Sequence, residues 1–179
     1  MLPIVFSVLM SCLVPPVSGL ITNPFVEPAC TFCAGNRAVD LRTQIGQAVV
    51  SPVTGQITFV GRVVNQTYVT VAPDSIGGGF GQILITVGGV GALASFQVGS
   101  RVSAGGVLGT AQSTISLSVR RKTPGSPAVY LDPTPYLAYW RTRARLVPSD
   151  GSSARLTPQI LACRASLAPA RWGYEGFSR

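Results

Sequence analysis

Short β-branched runs broken by regular turn signals constrain this chain more than any other feature. Residues Gly55 to Val64, GQITFVGRVV, alternate as a half-buried strand does. Asn65-Gln66 interrupts, and Thr67 to Ala72, TYVTVA, follows. The tract PDSIGGGFG, Pro73 to Gly81, places an Asp and three consecutive glycines ahead of QILITV, Gln82 to Val87. It reads as a hairpin loop between two strands. Further runs are Ala48 to Ser51, Ser95 to Val98, Val107 to Thr110, Ser113 to Arg121 and Val129 to Leu131. Residues 20–35 open with a short strand and continue as a loop marked by Pro and Cys. Turn signals recur roughly every ten residues, the spacing of an antiparallel all-β sandwich or distorted barrel.

A chain of 179 residues has room for one domain with a hydrophobic core. Only 11% of its residues are charged, which excludes disorder along the whole length. The composition changes at Trp140. Residues 140–179 hold seven Arg against two acids, whereas the first 139 hold seven basic groups against four acids. Apart from one helical turn at Thr157 to Ser166, this last segment has no periodicity. Residues 139–179 therefore read as a basic, loosely ordered C-terminal extension.

Residues 1–14, MLPIVFSVLMSCLV, are uncharged and apolar, too short to span a bilayer comfortably but suited to the core of an export signal. Val17-Ser18-Gly19 provides small residues for cleavage after Gly19, so residues 1–19 are expected to be a signal peptide. Alternatively, Leu9-Met10-Ser11-Cys12 resembles a lipoprotein signal with Cys12 as the lipid anchor. A third reading makes the segment a buried strand. Export is preferred, with an extracellular or cell-envelope location.

Of four cysteines, Cys30, Cys33 and Cys163 would outlast cleavage. In an exported protein Cys30-Thr-Phe-Cys33 predicts a local disulfide. Thiol–disulfide enzymes place such a motif at a helix N-terminus, whereas here it lies in a Pro-flanked loop. Nucleic acid is not an expected partner. The Arg residues are scattered, the strands offer no series of stacking aromatics, and Gly77-Gly78-Gly79 is not followed by Lys-Ser or Lys-Thr.

The chain contains no histidine. That count removes a His general base, every triad built on one, and imidazole as a metal ligand.

Three stretches occur in order: CAGNRAVDL (Cys33 to Leu41) with VVSPVTGQITFVGRV (Val49 to Val63), then FQVGSRVSAGGVLGTA (Phe96 to Ala111), then ISLSVRR (Ile115 to Arg121) with YLDPTPYL (Tyr130 to Leu137). Together they resemble the β-sheet core of the M23 zinc metallopeptidases, the LytM or lysostaphin-like cell-wall endopeptidases. The resemblance covers roughly residues 17–138, and the core domain is taken as 20–138. It implies two zinc ligands from H-x-x-x-D, a third from the second His of H-x-H, and further catalytic histidines. The ligand positions fall on Asn36, Asp40 and Ser116. The catalytic positions fall on Thr114 and near Val90. Only Asp40 keeps the family's residue. The resemblance therefore implies zinc in active relatives and no metal or cofactor here, with Asn36 and Ser116 expected to hydrogen-bond across the former cleft.

The resulting expectation is an exported, non-catalytic domain that binds peptidoglycan or regulates a cell-wall hydrolase. The basic extension would add attraction to anionic wall polymer or a membrane surface. The alternative is an active cell-wall metalloendopeptidase with an altered metal site, in which Cys30, Cys33 and Cys163 join Asp40.

Overall fold

The computed structural model describes residues 12–30, 32–74, 82–93, 95–141 and 160–164. Its strands are β1 (Ile21–Asn23), β2 (Val39–Leu41), β3 (Ala48–Val50), β4 (Gly55–Val63), β5 (Gln66–Pro73), β6 (Gln82–Ala92), β7 (Arg101–Val102), β8 (Val107–Lys122), β9 (Val129–Leu131), β10 (Tyr139–Arg141) and β11 (Ile160–Ala162). The first nine form one antiparallel sheet in the order β1-β2-β8-β6-β5-β4-β7, with β3 and β9 also paired to β8. The sheet does not close into a barrel. Among the described residues the helical content is a single 3-10 turn at Thr134–Tyr136.

Strand alternation decides the two faces. Val39 and Leu41, Ile57, Val69 and Val71, Ile83, Ile85 and Val87, and Ile115, Leu117 and Val119 all point into one core. Their neighbours Asp40, Tyr68, Thr86, Ser116 and Ser118 are half-buried and belong to the other face. A period of two residues gives one apolar and one polar surface from the same strands.

β8 organises the sheet. Its N-terminal part pairs with β3, and its C-terminal part pairs with β2 and β9 on the edge away from β6. Val107 to Thr110 and Ser113 to Arg121, read as separate runs from sequence, are one strand. Between the Gly88–Ser116 and Val90–Ala111 pairs, residues 112–115 of β8 stand against Gly89 alone. This large bulge requires Gly89, whose φ is +82°. Ser95 to Val98 is not a strand: the chain turns there, and the next pairing is β7 on β4.

The core extends further toward the N-terminus than sequence suggested. Leu13 is fully buried and Val17 nearly so. Leu13 N–H donates to Tyr136 O at 2.7 Å and its carbonyl accepts from Ala138 N–H at 2.7 Å. Val14 N–H donates to Pro52 O, and Val50 N–H donates to Pro16 O. Cleavage after Gly19 would remove a segment that the core and the backbone network both use.

Cys12 is bonded to Cys163, a sequence separation of 151 residues, and Cys30 is bonded to Cys33. Cys163 thus has Cys12 as its partner, a pairing that cleavage after Gly19 or lipidation of Cys12 would not allow. In the extension, β10 pairs antiparallel with β11. The helical turn expected at Thr157 to Ser166 is strand over Ile160–Ala162, and the other residues of that segment outside 160–164 lie beyond those described.

Candidate functional site

Two of the residues matched to the family's metal site, Asp40 and Ser116, sit on the polar face, where the strands set them in a row. Paired positions run from Asn23 on β1 to Asp40 on β2, Ser116 on β8, Gly88 on β6 and Tyr68 on β5. Asp40 and Ser116 are direct cross-strand neighbours, so the structure brings these two together. Asp40 Oδ2 accepts a hydrogen bond from Asn23 Nδ2 at 3.0 Å.

Asn36 precedes β2 and is not one of the paired positions of the row. Its Nδ2 donates to Pro24 O at 3.0 Å, and its Oδ1 accepts from Ala38 N–H at 3.3 Å. Its backbone exchanges hydrogen bonds with Val26 in both directions at 2.9 Å. The side chain is a local turn device of the kind Asn makes with the backbone two residues on. The expected bond between Asn36 and Ser116 is replaced by these contacts, because the nearby Pro24 carbonyl and Ala38 amide satisfy the side-chain amide.

Ser116 shares its space with an aromatic ring. A Cβ added at Gly88 would meet the Tyr68 ring at 2.5 Å and would also collide with Ser116 Oγ. Tyr68 therefore lies across Gly88 against Ser116. Tyr68 OH donates to Gln66 Oε1 at 3.1 Å, and Gln66 Nε2 donates to Ser113 Oγ at 3.3 Å. These contacts tie β5 to the bulge of β8. Thr114 lies on that bulge, exposed. Val90 is fully buried in the core, so its side chain faces away from the row. The position on β6 that faces the row is Gly88. Strand alternation from Ile83, Ile85 and Val87 was the signal for it, and the bulge at Gly89 resets the alternation before Val90.

The row offers one carboxylate, one amide, one hydroxyl and a phenol, from Asp40, Asn23, Ser116 and Tyr68. Among the described residues, no cluster of three or more His, Cys, Asp or Glu is placed to hold a metal ion. All four cysteine sulfurs are in disulfides, so none is present as a thiolate donor.

Beside the row the same face forms a groove of about 620 Å³. Tyr68, Thr70, Thr86 and Ser118 contribute to it, with Phe59 and Tyr130 as aromatic lining and Arg120 as its charged residue. Thr70 and Thr86 hydroxyls are hydrogen-bonded to each other at 2.9 Å.

No protein-family model matches the sequence, and no curated protein matches it. Solved structures do. Lysostaphin, solved by NMR, superposes with a TM-score of 0.57 at 14% identity, over 82% of this chain and 62% of that one. The fold is that of an M23 peptidase domain. Csd3 from Helicobacter pylori also superposes, with a TM-score of 0.56 at 18% identity over 77% of this chain. The chain spans 37% of Csd3's own length. SpoIIQ, from a pore-forming complex with SpoIIIAH, gives 0.54 at 12% identity over 72% of this chain and 92% of that one. At these identities the likeness is one of fold.

Proposed function

We propose that this chain is an exported M23-type domain that binds without catalysing, with peptidoglycan or a cell-wall hydrolase as its partner. The observation that carries this is the engagement of Asn36, at the first ligand position, by Pro24 O and Ala38 N. A catalytic zinc needs three protein ligands and an open position for water. Asp40 is the single anionic donor in the row, Ser116 is a neutral hydroxyl, and the chain has no imidazole to accept a proton. These residues do not fit a zinc ion, and no reaction step is derived through one. The cysteine-assisted metal site loses its thiolates to the two disulfides.

Both disulfides also support export into an oxidising compartment. The packing of Leu13 and Val17 and the bond at Cys12 support signal cleavage on the N-terminal side of Cys12. A protein partner is supported by SpoIIQ, an M23-type fold in a complex with another protein. Anionic wall polymer or a membrane surface is a further contact for the basic extension.

The test uses the disulfide-intact protein on purified cell wall. Cosedimentation with insoluble wall and no release of soluble fragments is expected from wild type and from Asp40→Ala. Fragment release by wild type that disappears in Asp40→Ala would overturn the non-catalytic reading. An absence of cosedimentation would remove peptidoglycan and leave the protein partner.

A further inference from the structure

Arg120 is half-buried in a groove whose described lining contains no acidic side chain. Among the described residues it has no ion pair and no hydrogen-bond partner, whereas Arg101 is paired with Asp74. A guanidinium withdrawn from water without a carboxylate has given up solvation for nothing the protein returns. Its cross-strand neighbours are Leu84 on β6 and Tyr130 on β9. On the far side, Arg37 lies over the Tyr130 ring at 5.9 Å. Arg120 is thus the cation that the described groove lining presents at the end where Tyr130 stands.

A charge of opposite sign lies on the same sheet face, outside the groove lining. Asp40 is paired with Ser116, four residues before Arg120 on β8, or about 13 Å away at strand rise. Between them the polar face presents Ser118 and Thr86, with Thr70 and Tyr68 beyond. Hydroxyls on this stretch can donate to or accept from a peptide backbone.

We propose that Arg120 is the recognition residue for a carboxylate, and that the groove takes an extended peptide with its free carboxylate on Arg120. This rests on the reading of the domain as a binder of wall peptide. Guanidinium and carboxylate match in a planar, two-bond geometry that lysine cannot reproduce. The ring of Tyr130 flanks the site and limits its hydration. A carboxylate near Asp40 would be repelled, so charge sets the direction in which the peptide lies.

The probe is a synthetic tetrapeptide, Ala-Glu-Lys-Ala, in four forms: free acid, amidated C-terminus, Glu replaced by Gln, and both changes together. Binding is followed by NMR shifts of the Arg120, Tyr130 and Thr86 amides. The free acid should bind about tenfold or more tightly than the doubly neutral form. The singly neutralised forms identify whether the terminal or the side-chain carboxylate is read. Arg120→Gln should bind all four forms alike, at the doubly neutral level, and Arg120→Lys should recover part of the preference. Folding of both variants is checked by their amide spectra. Equal binding of all forms by wild type would overturn the carboxylate assignment, as would a charge preference that persists in a folded Arg120→Gln. Wall cosedimentation with no shift from any peptide would overturn the groove assignment while leaving wall binding intact. Loss of cosedimentation itself would instead count against the underlying function.

Discussion

Cys12 and Cys163 are joined across 151 residues of sequence with Cα atoms 5.6 Å apart. Cys12 precedes the buried Leu13, whose backbone is held by Tyr136 and Ala138. Cys163 follows β11, which pairs with β10 just beyond Ala138. The bond therefore closes a clasp in which the N-terminal segment and the C-terminal extension hold each other against the core.

The two disulfides should differ in what they contribute. In the chain-entropy account, closing the long loop is worth roughly 3 kcal/mol more than closing the four-residue one. Cys12→Ala with Cys163→Ala should lower the unfolding midpoint clearly, and Cys30→Ala with Cys33→Ala should lower it much less. Urea unfolding of both double variants checks this. Equal losses would mean that the Cys30–Cys33 loop supports the core in a way its burial does not suggest.

The N-terminal segment should behave as core. Leu13→Ala removes a fully buried side chain and is expected to cost about 2–5 kcal/mol. A chain beginning at Leu20 loses Leu13, Val17 and their backbone hydrogen bonds, and should not give a cooperative transition. The N-terminus of protein recovered after export, read by mass spectrometry, should lie at or before Cys12. A folded, stable product beginning at Leu20 would refute this.

Asn36 should matter for folding and not for metal. Asn36→Ala removes two hydrogen bonds that organise the approach to β2, at about 1–2 kcal/mol. Elemental analysis should find substoichiometric zinc in wild type and in Asn36→Ala alike. One zinc per wild-type chain that Asn36→Ala removes would restore Asn36 as a ligand.

Gly88 should not accept a side chain. Gly88→Val would drive a branched group into the Tyr68 ring and Ser116, an overpacking expected to cost about 1–3 kcal/mol. Resonances of Tyr68 and Gln66 should shift with it. A neutral effect would show that Tyr68 can leave the row freely.

Much of the architecture was legible because strand periodicity is local. The runs at Gly55 to Val64, Thr67 to Ala72 and Gln82 to Val87 fall on β4, β5 and β6, and the tract between the last two joins antiparallel partners. The Cys30–Cys33 bond was legible too, since a spacing of three forces proximity. By contrast, Ser95 to Val98 has a strand's composition but no edge to pair with. The three residues of β2 are too short to show a period, and they become a strand because β8 is beside them.

By itself the sequence determined an antiparallel all-β domain, the absence of imidazole, and the resemblance that located Asn36, Asp40 and Ser116. These follow from composition, from period-two patterning and from order along the chain. Only the tertiary structure decided the partner of Cys163, the burial of Leu13, the inward face of Val90 and the turning of Asn36 toward Pro24. Each depends on which distant segment lies next to the residue. A single register shift at Gly89 is enough to move a side chain from the groove to the core. Arg120 became a candidate for recognition in the same way, once folding placed it in a groove with no carboxylate among its described lining residues.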